Sequence, residues 1–124
     1  MNKTAELRKG IEEFNRGDYF ECHETLEDVW MLETGKDKRF YQGLIQLSVG
    51  FFHLLNRNLR GAASQWEKGV AKLTDYDDEH LGVNLKTLLA KMRRCQETLE
   101  AVRDGRQTEF DWSLAPQIIT SPPV

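Results

Sequence analysis

Four residues combine acid–base or metal-ligand chemistry with an apolar setting: His23, Glu27, Gln46 and His53. His23 and Glu27 are four apart, so on a helix their side chains leave one face a single turn apart. On a wheel of about 100° per residue with His23 at zero, Trp30 and Tyr19 fall at about −20° and −40°, Leu26 at about −60° and Phe20 at about +60°. The pair thus lies within the apolar arc, while Glu21, Thr25 and Asp28 take the other side. Burying an unpaired carboxylate is costly, and His23 is the nearest partner for Glu27. Further on, Gln42, Gln46 and His53 form one polar stripe, flanked by Gly43 and Gly50, on a segment that is otherwise apolar. Polar groups inside a core turn toward other polar groups. The economical arrangement therefore sets His23 and Glu27 opposite Gln46 and His53 in the interior.

Such a cluster supports three kinds of function. In a metal site, His23, Glu27 and His53 would be the ligands: two imidazoles and a carboxylate suit Zn²⁺ or Fe²⁺ with a position left open for water. Gln46 or Glu24 would then orient or activate that water, making Glu27, Glu24 and His23 the catalytic candidates for a hydrolysis. The run His23-Glu24-Thr25-Leu26-Glu27 is not HExxH, since Glu27 stands where the second His belongs, and that argues against protease chemistry. In a metal-free pocket for a small molecule, His23 or His53 would work as acid or base against Glu27, with Gln46, Gln42, Trp30 and Tyr19 around them. In a non-enzymatic interaction module the cluster would only fix packing as a satisfied hydrogen-bond network. Trp30, Phe51 and Phe52 read as core, and Cys22, off the stripe, as inert. The acidic stretch Asp75-Tyr76-Asp77-Asp78-Glu79-His80 lacks the spacing of an EF-hand and reads as solvated loop, with His80 on the surface.

The elements that carry these residues are helical. Nothing before Pro116 forces a break, and apolar residues recur at three and four throughout. A first helix covers roughly residues 4–15 on the stripe Leu7, Ile11 and Phe14. Gly17 ends it, and Asp18 is a good N-cap for a second helix, 19–33, with Glu21 three residues on. After the turn Thr34-Gly35-Lys36, a third helix, 37–56, is apolar on most sides and central. A fourth starts near residue 58 on Leu59, Ala62, Ala63, Trp66, Val70 and Leu73. The fifth, 84–103, carries Leu85, Leu88, Met92, Cys95, Leu99 and Val102, a seam that either lids the core or joins a second copy. The chain is expected to be one compact domain over 1–124, helical to 110, with 111–124 an extended arm and frayed last residues. Phe14-Asn15-Arg16 before the second helix echoes Leu55-Asn56-Arg57 before the fourth, giving two helix hairpins of tetratricopeptide-like kind.

Composition narrows the classes. Forty per cent of the 124 residues are apolar, enough for a core and too few for a membrane protein. Seventeen basic and twenty acidic residues are mixed along the chain, leaving −3 and no basic stripe for nucleic acid. The start lacks an apolar signal segment, and Cys22 and Cys95 have no zinc-type spacing, so free thiols in a reducing cytoplasm are expected. The expected partners are no nucleic acid and no membrane, a small-molecule ligand, and a monomer or a homodimer through residues 84–103.

The run Phe14-Asn15-Arg16-Gly17-Asp18-Tyr19-Phe20-Glu21-Cys22-His23-Glu24-Thr25-Leu26-Glu27-Asp28-Val29-Trp30 resembles the bacterial and archaeal domain of unknown function 309, whose signature HxxxExxW is met by His23, Glu27 and Trp30. Phe40-Tyr41-Gln42-Gly43-Leu44-Ile45-Gln46, His53 and Asn58-Leu59-Arg60-Gly61-Ala62 continue the likeness. The resemblance implies an all-helical fold and a metal-binding role for the His and Glu. It departs at Arg57, where the family pattern commonly has glycine.

Overall fold

A computed structural model describes residues 1–121. Among them the chain forms five α-helices: α1 (Lys3–Asn15), α2 (Tyr19–Leu32), α3 (Asp37–Leu55), α4 (Leu59–Leu73) and α5 (Leu85–Arg103). The architecture is all-α, as expected. A short antiparallel hairpin, β1 (Glu79–His80) with β2 (Val83–Asn84), stands in the acidic segment that had read as plain loop. Pro122, Pro123 and Val124, expected to fray, lie outside the described residues.

Asparagine side chains start three of the helices. Asn2, Asn58 and Asn84 accept from the backbone N–H of Ala5, Gly61 and Thr87, satisfying donors that have no partner within the helix. Asp18 occupies the same position before α2 but makes no such bond. Its carboxylate turns back to Arg16 at 3.1 Å, so the expected capping box does not form. Lys38 closes the other end of α2, donating to the carbonyls of Trp30 at 2.7 Å and Glu33 at 3.1 Å while lying over the Trp30 ring. Glu33 accepts from the N–H groups of Thr34 and Gly35, and the bond from Gly35 together with Lys3 holds its carboxyl below the usual range.

The joints α1–α2 and α3–α4 are built alike. Gly17 N–H donates to Phe14 and Asp18 N–H to Glu13; Arg57 N–H donates to Leu54 and Asn58 N–H to His53. Gly17 (φ 83) and Arg57 (φ 60) both take the left-handed conformation that ends a helix. The echo seen in the sequence is therefore structural, but one residue out of register: Arg57 corresponds to Gly17, not to Arg16.

The closest helix contact is α3 on α4. A methyl placed at Gly69 would come within 2.8 Å of the Gly43 carbonyl, and one at Gly43 within 2.7 Å of Leu73. A methyl at Gly50 would fall on the indole of Trp66. That indole is fully buried and donates to the Leu47 carbonyl at 3.3 Å. Helix α5 closes the core with Leu85, Leu88, Met92, Cys95 and Leu99, all at most 2% exposed. The seam on 84–103 is thus used inside this chain, with Val102 at its end only half-buried.

The helical part ends with α5 at Arg103, not at residue 110, and the arm follows from there. Phe110 packs against Trp66, Leu114 accepts from the Cys95 thiol, and Asn15 clamps the Ile118 backbone with two hydrogen bonds of 3.0 and 2.6 Å. Thr120 then bridges to Val83. Among the described residues no helix is long and apolar enough to cross a membrane.

Overpacking a closed contact between two helices destabilises by about 1–3 kcal/mol. Gly50→Ala is expected to lose stability in that range in urea unfolding, because Trp66 has nowhere to move. Gly35→Ala, whose methyl would meet nothing nearer than 3.5 Å, should stay close to the parent midpoint.

Candidate functional site

Helices α2 and α3 run antiparallel, pinned at their joint end by Tyr19 stacked on Phe51 at 4.9 Å and Phe20 against Phe52 at 5.3 Å. Their register places His23 and Glu27 one and two turns along α2 from this aromatic anchor. The two side chains do meet: His23 Nε2 is 3.2 Å from Glu27 Oε2. They meet at the surface, not in the interior. The His23 side chain is 25% exposed and that of Glu27 47%.

The reason is visible on α3. With Gly50 at zero, the α4-facing residues Gly43 and Leu47 fall at about +20° and +60°, while Ile45 and Ser48 point the other way. Gln46, His53 and Gln42 lie at about −40°, −60° and −80°, on a rim between the two packed sides. All three are half-buried. Gln46 Oε1 is buried without a hydrogen-bond partner, and so is Trp30 Nε1. His53 stands at the α3–α4 joint, its Nδ1 3.4 Å from the Asn58 amide. Among the described residues no three His, Cys, Asp or Glu side chains are grouped to hold a metal ion, so His53 does not complete a centre with His23 and Glu27.

Other expected site residues divide. Glu24 is exposed and unpaired among the described residues. Tyr19 belongs to the core, and burial first, with Cys95 and Cys22 beside it, raises its hydroxyl to about 12. Phe52, expected in the core, is 37% exposed, and Phe20 beside it 43%. Trp30 is half-buried under Lys38. Cys22 and Cys95 are buried, and burial pushes both thiols up to about 12, which leaves no thiolate for nucleophilic chemistry.

His80 corrects the sequence reading. It is no free surface residue: Nε2 meets Asp37 Oδ1 at 2.7 Å, and the ring lies between Phe40 and Tyr76 at 4.8 and 4.6 Å. Tyr76 in turn donates to the Lys36 carbonyl. This clasp ties the hairpin to the start of α3. The sequence offers only an aromatic and a histidine four apart, Tyr76 and His80, with Asp37 43 residues from His80. Buried Glu13, with Oε1 unpaired, was also missed. It lies one residue outside the α1 stripe, where the wheel gave no warning.

The His23 ring carries one further constraint. Nδ1 is 3.2 Å from the Phe20 carbonyl, so both ring nitrogens face oxygen acceptors. A ring with one proton serves only one of them. The other is left to water or a cation.

Residues 7–65, from α1 into α4, match the family model described as domain of unknown function 309, and they include the whole α2–α3 pair. The chain belongs to that family. His23, Glu27 and Trp30, which fall within that match, all stand half-buried along α2. Two relatives are uncharacterised proteins. YpuF of Bacillus subtilis (strain 168) is 36% identical over 88 residues, 68% of this chain and 51% of that protein. A protein of Aquifex aeolicus (strain VF5) is 28% identical over 116 residues, 92% of this chain and 34% of that protein. The chain thus spans about half of one of these relatives and about a third of the other.

Because Glu27 is half-exposed, its pair with His23 belongs to the class of i,i+4 contacts that contribute about 0.3–0.5 kcal/mol. Glu27→Ala is expected to shift the urea midpoint by less than about 1 kcal/mol of stability. A loss of several kcal/mol would show instead that the pair is a core element.

Proposed function

We propose that the α2–α3 face is a recognition surface for a basic, apolar-bearing segment of another protein chain, with His23 and Glu27 as its polar centre. The observation that carries this is the Phe20–Phe52 pair, two large rings packed on each other outside the core. Met31, 65% exposed, continues the apolar side of α2. On the wheel Phe20, Glu24, Glu27 and Met31 share an arc of about 60°, so apolar and acidic groups alternate along one stripe. Between Tyr19 and Leu32 there are four carboxylates and no Lys or Arg. Among the described residues only Glu27 of the four has a side-chain partner, the His23 imidazole. An acidic, aromatic-bearing helix face attracts a segment that brings cations and apolar anchors together. The size of the two relatives fits a domain that works beside further chain. The buried thiols fit a reducing compartment such as the cytoplasm.

A second reading gives the same pair a divalent ion. Ligands at about 2.0–2.1 Å in tetrahedral array stand about 3.3 Å apart. The 3.2 Å between His23 Nε2 and Glu27 Oε2 is close to that edge, and Nδ1 against the Phe20 carbonyl leaves Nε2 to the ion. The residues fit half of a centre. The remaining ligands would come from water or from the bound chain, and no hydrolytic step is drawn from two ligands.

Titration of ¹⁵N-labelled protein with an amphipathic leucine–lysine peptide tests the first reading. Shifts should cluster at Phe20, Glu24, Glu27 and Phe52, and Glu24→Lys with Glu27→Lys should weaken binding about tenfold or more. Shifts elsewhere, or affinity unchanged in the double variant, would refute it. Zinc sulfate in place of the peptide tests the second: saturable heat abolished by His23→Ala supports it, and heat unchanged by that substitution removes it.

A further inference from the structure

A separate site lies where α3 passes into α4. A groove of about 420 Å³ opens there between the joint and the C-terminal arm. Leu54, Leu59, Phe110 and Trp112 form its apolar walls, and Arg57 sits on its lining. The volume falls in the range of small-molecule sites.

Arg57 is an unexpected residue for its backbone. Three helices of this chain end in the same hydrogen-bonded turn, with N–H groups folding back after Asn15, Leu55 and Arg103. The left-handed residue is Gly17 in the first and Gly105 in the third. Only at Arg57 does a side chain occupy that position, where glycine is unstrained and arginine is not. Strain of this kind is retained where the side chain does something a glycine cannot. The turn itself does not need the guanidinium, because its hydrogen bonds come from the backbone and from the Asn56 and Asn58 side chains. Among the described residues Arg57 has no ion-pair or hydrogen-bonding partner for its side chain.

We propose that this groove binds a flat, apolar molecule carrying one anionic group, an aromatic carboxylate or sulfonate, with Arg57 receiving the anion and Phe110 and Trp112 walling the ring. Arginine suits this role because its planar fork matches a carboxylate or sulfonate and stacks on aromatic faces. Glu109 shares the lining without pairing to Arg57. Its charge opposes a polyanion and limits the ligand to a single negative group. The site is independent of the α2–α3 face: none of Phe20, His23 or Glu27 lines it.

Two dyes that differ by one charge test it. 8-Anilinonaphthalene-1-sulfonate carries the anion, and N-phenyl-1-naphthylamine is its uncharged counterpart. The sulfonate should bind about tenfold tighter, as a hydrogen-bonded charge contact supplies. Arg57→Gly should erase that preference while raising the urea midpoint, so the loss cannot be blamed on misfolding. Glu109→Gln should tighten the sulfonate, and Trp112→Phe should remove energy transfer from that tryptophan to the dye. Equal affinity for the two dyes, or sulfonate binding that survives Arg57→Gly and is abolished by Phe20→Ser, would overturn the assignment.

Discussion

The approach of α3 to α4 constrains everything else in this molecule. Gly43 and Gly69 let two helix backbones come close, and the space over Gly50 is filled by Trp66, which is locked by its bond to Leu47. With one side of α3 held there and another side held against α2 through Phe51 and Tyr19, a third side has to lie on the rim. Gln42, Gln46 and His53 stand on that rim. The same geometry leaves the first turn of α2 and the last turn of α3 at an edge, where Phe20 and Phe52 pack on each other, tilted, and still face outward. The polar groups and the exposed rings thus share one cause.

Much of this was legible in the chain. The helix starts near residues 58 and 84 follow from the apolar spacing and the stop from Gly17, since both act locally; that Asn58 and Asn84 are the caps, and Asp18 is not, came from the structure. The stripe from Leu85 to Leu99 was legible as a seam, and the core of this chain uses it. The side on which the polar cluster lies was not legible. A wheel shows that His23 and Glu27 sit within an apolar arc, but apolar residues bound both a buried face and an edge between two packed sides. Phe52 shows the limit: next to fully buried Phe51, it points away from the core because neighbours on a helix are about 100° apart. The His80–Asp37 clasp was hidden for another reason, since its partners are 43 residues apart and meet only once the hairpin folds over α3.

What the rim offers chemically is a half-exposed imidazole–carboxylate pair, two exposed rings and a line of carboxylates with no cation among them. A buried catalytic cluster would have needed His53 drawn in beside His23, and the α3–α4 joint holds it elsewhere through Asn58. Recognition asks less of the geometry. It needs a rigid face, groups that water does not fully satisfy, and a charge pattern that selects a partner. The chain's family membership rests on this stretch, and the relatives extend well beyond it.

The central claim is that the α2–α3 face stands open in the chain by itself. Hydroxyl-radical footprinting of the purified protein, read residue by residue by mass spectrometry, tests it most directly, because chemically identical side chains lie on both sides of the question. Phe52 and Phe20 should be oxidised while Phe51 is protected, and Met31 should react while Met92 does not. Protection of Phe20, Phe52 and Met31 to the level of Phe51 and Met92 would contradict the account, since the face would then already be covered.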